Sequence, residues 1–475
     1  MGGYGVARVI VIGGGPTGLA TAMLFAARGL DVVVLDRDGA APATAEDAWG
    51  SWERPGVAQF HQVHYFQPRG RALLAKQLPA VLDELSAAGC VPFNLIEQLA
   101  QLVPGGPGAF DYKPYETMTT CRRPVLEYGF VAAARATPNV EIRNDCVVAD
   151  LVTGKSVVEG VPHIVGVRTT TGETILADLV VDAAGRRTPV PALIEGAGGQ
   201  RPVEEVEAVG FVYHTQFYRG SALPEVRGDL LAAIGSISIV TMPGDRGYWS
   251  VTLYHSPADK EMRKVRDPKM FLRVLRSLPL HAHWADGEAT GEVVSMASTA
   301  NTTRHFVTAG HPCATGLVPI GDAWAFTNPS LGRGIALGIL HACGVVGVIA
   351  DLLDQPVELA AAWERVTQDQ AAPWHESTVE FDRIRAPEVE ACRLRQPDPH
   401  DPHDPMVAQA RAFDSARHYD AQVLHWYGEI SSCNTLPSEV TARPGVVERV
   451  LDVAAQNPPY RTPGPNRGEL EDLLA

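Results

Sequence analysis

The sequence predicts a mixed α/β chain in three parts: a doubly wound parallel-sheet domain, an antiparallel sheet inserted into it, and a helical C-terminal region. Three observations point there. Residues 8–36 read as buried strand, glycine turn, helix and second buried strand. From about Val203 the texture changes to alternating, β-rich runs separated by Gly, Pro and Asp turns, the signature of an antiparallel sheet. A second glycine-rich segment, residues 316–338, then runs into a long apolar helix, after which the chain reads as helical. The predicted boundaries are 1–200 with 302–375 for the parallel-sheet domain, 201–301 for the insertion and 376–475 for the helical region.

The first stretch carries the clearest chemistry. Val9 to Ile12 is short and β-branched, as a strand buried on both faces should be. Gly13-x-Gly15-x-x-Gly18 follows at once. In a Rossmann-like unit Gly13 permits the turn, Gly15 lets a pyrophosphate approach the backbone, and Gly18 lets helix pack on strand. The helix then offers free N–H groups and a positive dipole end to phosphate. Val32 to Leu35 is the second strand, and Asp36 at its end is placed to accept from a ribose hydroxyl, which favours the ADP of NAD or FAD over a 2′-phosphate. Arg37, next in line, makes that exclusion imperfect.

Composition bounds the rest. The chain has 475 residues, enough for two or three domains, with 45% hydrophobic and 20% charged residues as in an ordinary soluble enzyme. A net charge of −15 argues against a nucleic-acid binder. The absence of a basic and apolar leader argues against a signal peptide. Leu331 to Leu353 is the most apolar long stretch, but Arg333, His341 and several glycines make it a buried helix rather than a membrane span. Seven scattered cysteines without metal-ligand spacing read as reduced thiols of a cytoplasmic protein.

In chain order, the loop Trp49 to His64 holds two tryptophans and the pair His61 and His64. Two histidines three apart could ligate a metal, but no third ligand is visible, so the loop is read as lining a pocket, with no metal site. Gly70 to Ala88 predicts one amphipathic helix closed by Gly89. Arg122 to Ala136 predicts another, with Thr119 or Thr120 as its cap. Ile164 to Thr170 and Thr174 to Val181 read as a hairpin about Gly172, ending in Asp182-Ala-Ala-Gly-Arg186. In the insertion, Val209 to Tyr218, Ile234 to Met242, Tyr248 to His255 and Val293 to Asn301 read as strands, and Pro268 to Ser277 as a helix. Pro397 to Pro405 reads as a stiff, solvated linker.

The second constellation is Gly321-Asp322-Ala323 followed by Pro329, Gly332 and Gly334 at a helix start. A carboxylate there can accept from a sugar-alcohol chain. The glycines let a flat ligand lie on backbone N–H groups, and the helix end favours negative charge, as on the pyrimidine edge of a reduced isoalloxazine.

Taken with Arg54-x-Gly56-Val and Arg123-x-x-Leu126-Glu127, and in the same order along the chain, these motifs resemble those of the FAD-dependent monooxygenases of the para-hydroxybenzoate hydroxylase fold. The resemblance spans about Arg8 to Asp351. Arg54-Pro-Gly-Val-Ala-Gln-Phe-His-Gln-Val-His64 looks most like the epoxidase-type branch. The resemblance implies an FAD-binding domain with an inserted substrate sheet. Gly13, Gly15 and Gly18 would hold the pyrophosphate and Asp36 the adenosine ribose. Arg54 and Arg123 would contact phosphate or ribityl oxygens, Asp322 the ribityl chain or pyrophosphate, and Pro329 to Gly334 the pyrimidine edge. The implied reaction transfers one oxygen atom of O2, through a C4a-hydroperoxyflavin, to an apolar or aromatic small molecule by epoxidation or hydroxylation. Candidates near the reaction are His61, His64 and Trp324, with Tyr213, Phe217 and Tyr218 from the insertion, chiefly as pocket liners.

Two departures matter. Asp182-Ala183 stands where many hydroxylases carry Asp-Gly, which puts direct use of NADPH in doubt; electrons would come from NAD(P)H directly or from a partner flavin reductase. Trp324 stands where His is common, and would reshape the pocket mouth. A dehydrogenase or reductase of the same fold, a flavin-dependent halogenase and a flavoprotein without turnover remain alternatives. The halogenase signature Trp-x-Trp-x-Ile-Pro is absent.

Overall fold

A computed structural model describes residues 6–298, 300–401 and 403–475. The chain opens with β1 (Arg8–Ile12), α1 (Pro16–Ala26) and β2 (Asp31–Leu35). Helix α2 (Arg123–Ala136), β3 (Val140–Arg143) and β4 (Leu179–Asp182) follow after a loop-rich excursion. The insertion supplies β5 (Phe211–Arg219), β6 (Leu231–Ile234), β7 (Ile237–Pro243), β8 (Tyr248–His255) and β9 (Glu288–Ser298). The chain returns with β10 (Leu317–Pro319) and α3 (Gly334–Ile349). The helical region begins with α4 (Ala372–Arg393).

The α/β architecture is as the sequence predicts. Strands β10-β4-β1-β2-β3 form one parallel sheet. Its middle strands are buried on both faces, which is why they read as unbroken Val and Ile runs. Strands β6-β7-β8-β5-β9 form the antiparallel sheet, with a bulge between Thr215 and Phe217. At its base Val203–Glu207 pairs with Asn301–His305, so the two ends of the insertion leave side by side.

Several predicted elements differ. Gly70 to Ala88 is two helices, Pro68–Gln77 and Pro79–Ala88. Leu78 precedes a proline, which disfavours helical backbone, and it takes φ −141° and ψ 57°. Gly89 does close the second helix, at φ +105°. Neither Thr119 nor Thr120 caps α2; their hydroxyls donate to Pro243 O and the Asp245 carboxylate instead. The predicted strand Thr174 to Val181 is split. Thr174–Leu176 closes a small antiparallel sheet, then Asp178 exchanges hydrogen bonds with the backbone of Arg8, and the chain enters the parallel sheet as β4. Ile234 to Met242 is a hairpin turning at Gly235 rather than one strand. Val293 to Asn301 is the end of β9 and the start of the strand Asn301–His305; Thr299 between them lies outside the described residues. Leu331 to Leu353 is the buried helix α3, and among the described residues no helix is long and apolar enough to cross a membrane. The Pro397 to Pro405 loop, of which Pro402 lies outside the described residues, leads into the helix Pro405–Ala416 and is tied to it by Asp398 and Arg411, 2.6 Å apart.

Buried ion pairs join the three parts. Arg122, before α2, meets Asp245 in the turn between β7 and β8, both fully buried. Arg417 in the helical region makes bidentate bonds of 2.7 and 2.6 Å to Asp229 of the insertion. Such pairs are costly to break because the surviving charge is left without a partner.

The insertion also buries two imidazoles. His214 and His255 stack at 13° with their Nε2 atoms 3.0 Å apart. His255 Nδ1 donates to Ser256 O, so its Nε2 accepts from His214, whose Nδ1 accepts from Ser295. Both rings are neutral, and burial holds His214 down to about 3 and lowers His255 as well. The unfolded chain takes up these protons near pH 6.5 while the folded one does not. Stability is therefore expected to fall as pH drops below about 6.5, by up to about 1.4 kcal/mol per pH unit for each group. Thermal unfolding from pH 7 to pH 4 tests this: His214→Gln should flatten the decline.

Candidate functional site

Two turns meet at α1. Gly13 ends β1, and the carbonyl of Gly13 lies where a Cβ on Gly18 would sit, at 2.0 Å, so only glycine allows the helix to start so close to the turn. On the other side, a Cβ on Gly338 of α3 would lie 2.2 Å from Thr17 Oγ1, and one on Gly321 would lie 3.1 Å from the Thr17 methyl. This close crossing brings the second motif against the first. A Cβ on Gly15, by contrast, would meet nothing within 4 Å. That open side faces a cavity of about 1670 Å³ which runs from the Gly13–Gly18 turn, past Asp322 and the Pro329–Gly334 loop, to the antiparallel sheet and the C-terminal helices.

The acidic and basic residues of the first motif form a buried network. Asp36 accepts from Gly14 N at 2.7 Å, from Asp38 N at 2.8 Å and from Arg54. Arg54 also holds Asp38 at 3.3 Å, Glu127 at 2.6 Å and the Gly14 carbonyl at 3.2 Å. Burial works against its charge, but Glu127, Asp36 and Asp38 together raise its pKa. The guanidinium expected to touch a phosphate is thus committed to three carboxylates that need a cation. Arg123 bonds Glu127 at 2.5 Å and His64 Nε2 at 2.6 Å. Since His64 Nδ1 faces the Gln62 carbonyl at 3.1 Å, His64 donates there and accepts from Arg123 as a neutral ring. Burial, then the charge of Arg123, pushes its pKa well down. His64 lines the cavity as a fixed acceptor rather than a proton donor. Arg37 also lines it, and one of its amino groups is tied to Gly56 O at 3.0 Å.

In the second motif, Asp322 faces the cavity and accepts from Arg186 Nε at 3.3 Å. Pro329, Gly332 and Gly334 line the same wall, Gly332 at φ +62° and Gly334 opening α3. His341 of α3 accepts from Gly321 N at 3.2 Å and donates to Thr367 at 2.9 Å; burial lowers its pKa to about 3. It fixes the motif as a neutral ring. Asp182 turns back on its own loop, accepting from Ala184 N and Thr188, while Ala183 to Arg187 line the cavity; burial raises its pKa to about 6.

Four expected pocket residues, His61, Trp324, Phe217 and Tyr218, lie elsewhere. His61 is part-exposed beside Glu53, 3.2 Å away, while both ring nitrogens of His64 are taken by Gln62 O and Arg123, so the two do not share a ligand. Among the described residues no group of three or more His, Cys, Asp or Glu could hold a metal. Trp324 is buried in the core against His341 and His375, not at the cavity mouth, because the short helical turn at Gly321–Ala323 points it inward. Phe217 packs on Trp49 and Tyr218 on Trp249. Tyr213 does line the cavity, stacked on Tyr254 at 5.1 Å.

The sequence reading missed Arg186, Arg304 and Asp382. Arg186 lies in the quoted Asp182-Ala-Ala-Gly-Arg186 segment, so a signal existed. Arg304 bonds the carbonyls of Asp322, Ala323 and Arg186 at 3.2, 2.9 and 2.9 Å, a pairing that no local pattern announces. Asp382 is fully buried and meets only neutral donors, so burial raises its pKa to about 6.

Comparison with known proteins agrees with this geometry. A family model described as FAD dependent oxidoreductase matches residues 8–95. PqsL of Pseudomonas aeruginosa, described as a probable FAD-dependent monooxygenase, superposes with a TM-score of 0.60 over 81% of this chain and 97% of its own, at 16% identity. The chain has the fold of the FAD-dependent monooxygenases. The flavin-dependent brominase Bmp2 shares this fold, with a TM-score of 0.59 over 95% of this chain and all of its own, at 15% identity. Protein Rv3254 of Mycobacterium tuberculosis is 26% identical over 362 residues, 70% of this chain and 71% of its own.

Two outcomes are expected. Gly18→Ala should abolish flavin retention, since its methyl would collide with the Gly13 carbonyl; the absorbance of the purified protein reads this. His61→Ala should leave turnover within about twofold of the parent, as expected for a surface change.

Proposed function

We propose that the protein is an FAD-dependent monooxygenase that adds one oxygen atom from O2 to an apolar or aromatic small molecule, by epoxidation or hydroxylation. The observation that carries this reading is the single cavity joining the Gly13–Gly18 turn, the Pro329–Gly334 loop and an apolar sheet wall. The residues present fit FAD. The open face of Gly15 and the free N–H groups at the start of α1 suit a pyrophosphate. Asp36 retains acceptor capacity for a ribose hydroxyl, because each carboxylate oxygen can take two bonds. Asp322 stands where a ribityl chain would pass. The first N–H groups of α3 would favour negative charge on a reduced ring. FAD, when bound, supplies the activation of O2.

The chain's own part is to position the substrate and exclude water. Tyr213, Tyr254, Met242 and Met296 give the insertion an apolar wall toward the cavity, and the helical region closes it. Electrons would come from NADH or NADPH directly, or from a partner flavin reductase. The inward turn of the Asp182 carboxylate favours the second route. The seven free thiols suit a cytoplasmic setting.

The likeness to a brominase supports a second reading, halide oxidation on the same fold. Turnover of alkenes, indoles and phenols under isotopically labelled O2, with and without bromide and an added flavin reductase, separates the two. The first reading expects one labelled oxygen atom in the product without bromide; a brominated product with none would sink it. Asp322→Ala is expected to weaken FAD binding at least tenfold by fluorescence titration.

A further inference from the structure

One face of α4 touches both walls of the cavity. Trp374, Thr378, Asp382 and Arg385 recur at helical spacing and so lie along one stripe. Arg333, beside the Gly332 turn, places its guanidinium 5.5 Å over Trp374 and donates to Thr378 Oγ1 at 3.2 Å. Asp382 accepts from Asn328 Nδ2 at 3.3 Å and Ser330 Oγ at 3.1 Å, the residues either side of Pro329, and from Asn301 Nδ2 at 3.2 Å. Arg385 donates to the Gly235 and Ile237 carbonyls and to Ser238 in the hairpin between β6 and β7, at 3.2, 3.0 and 3.0 Å.

The orientation of each amide in the cluster is fixed. Asn301 Oδ1 accepts from Asn328 N at 2.7 Å, so its Nδ2 must face Asp382. The Asp382 carboxylate only accepts, so Asn328 turns its Nδ2 to it and its Oδ1 takes the Tyr213 hydroxyl at 2.5 Å. The carboxylate therefore meets three donors, and Asn301 Nδ2, pinned by the backbone N–H of Asn328 on the other side of its amide, would still demand an acceptor from any residue in its place. The cluster is buried throughout, and it ends at a phenol on the cavity wall.

We propose that Asp382 is a positioning residue that sets the Pro329–Gly334 loop and, through Asn328, the Tyr213 phenol, so that the C-terminal region is a working part of the site. Helix α4 acts as a bracket, with the loop held by its first half and the substrate sheet by Arg385. That the loop faces a flavin rests on the function proposed above; that the bracket holds the loop does not.

The test compares Asp382→Asn and Ser330→Ala with Arg467→Ala. The last breaks a different tie of the C-terminal region, to Asp259, and touches neither loop nor sheet hairpin. Hydrogen–deuterium exchange is followed across residues 327–334 in the full chain without flavin, and FAD affinity by titration. Asp382→Asn is expected to speed exchange in this segment at least tenfold and weaken FAD binding at least tenfold. Ser330→Ala should act in the same direction less strongly, and Arg467→Ala should do neither. Exchange within twofold of the parent in both cluster variants, or an equal rise in Arg467→Ala, would overturn the proposal. If Asp382→Asn does not fold, Ser330→Ala decides by the same criteria. If the parent binds no FAD, the function proposed above fails while the exchange result still judges the bracket.

Discussion

Arg54 is a buried guanidinium shared by Asp36 at the end of β2, Asp38 two residues on, Glu127 in α2 and the carbonyl of Gly14 in the first turn. The nucleotide half of the cavity depends on it. Three carboxylates this close could not all stay ionised in a buried space without a cation, and breaking such a pairing costs about 3–5 kcal/mol. The same guanidinium also sets distances. It pins the Gly13–Gly15 turn to β2 and α2 at once, and through Glu127 it orients Arg123 and then His64 on the cavity wall.

The second half of the site is held by hydrogen bonds from residues outside its motif. His341 holds Gly321 in place by accepting from its N–H, and the Asn301, Asn328, Ser330 and Asp382 cluster holds the loop that follows. The two ends meet along one cavity, the first organised by a single shared guanidinium and the second by hydrogen bonds to its loop. The insertion then adds the apolar wall, tied to the main domain by Arg122 and Asp245 and to the helices by Asp229 and Arg417.

Much of this was legible in the sequence because it is local. The β1 turn, the Asp at the end of β2, the antiparallel texture after Val203 and the apolar helix α3 are each written within a short window. Elements went wrong where one local cue outweighed a pattern. The apolar periodicity of residues 70–88 ran through Pro79, and the β-rich run from Thr174 ran through Asp178, whose bonds to Arg8 turn the chain. Site residues went wrong where direction mattered. His61 and Trp324 sit in the right segments, but backbone geometry points them away from the cavity. Arg304 and Asp382 were invisible because their partners lie far away in the chain and neither belongs to a motif.

The stripe on α4 has a consequence for how this chain can change. A helix rises about 1.5 Å and rotates about 100° per residue, so Trp374 to Arg385 spans about 16 Å at one angular setting. Substitutions on the outer face of that helix leave the setting intact. A single-residue insertion or deletion between Thr378 and Arg385 does not, because it swings one end of the stripe by about a quarter turn relative to the other. Length in this stretch is therefore under tighter constraint than residue identity, although the segment lies well beyond both glycine motifs along the chain and carries no signature of its own.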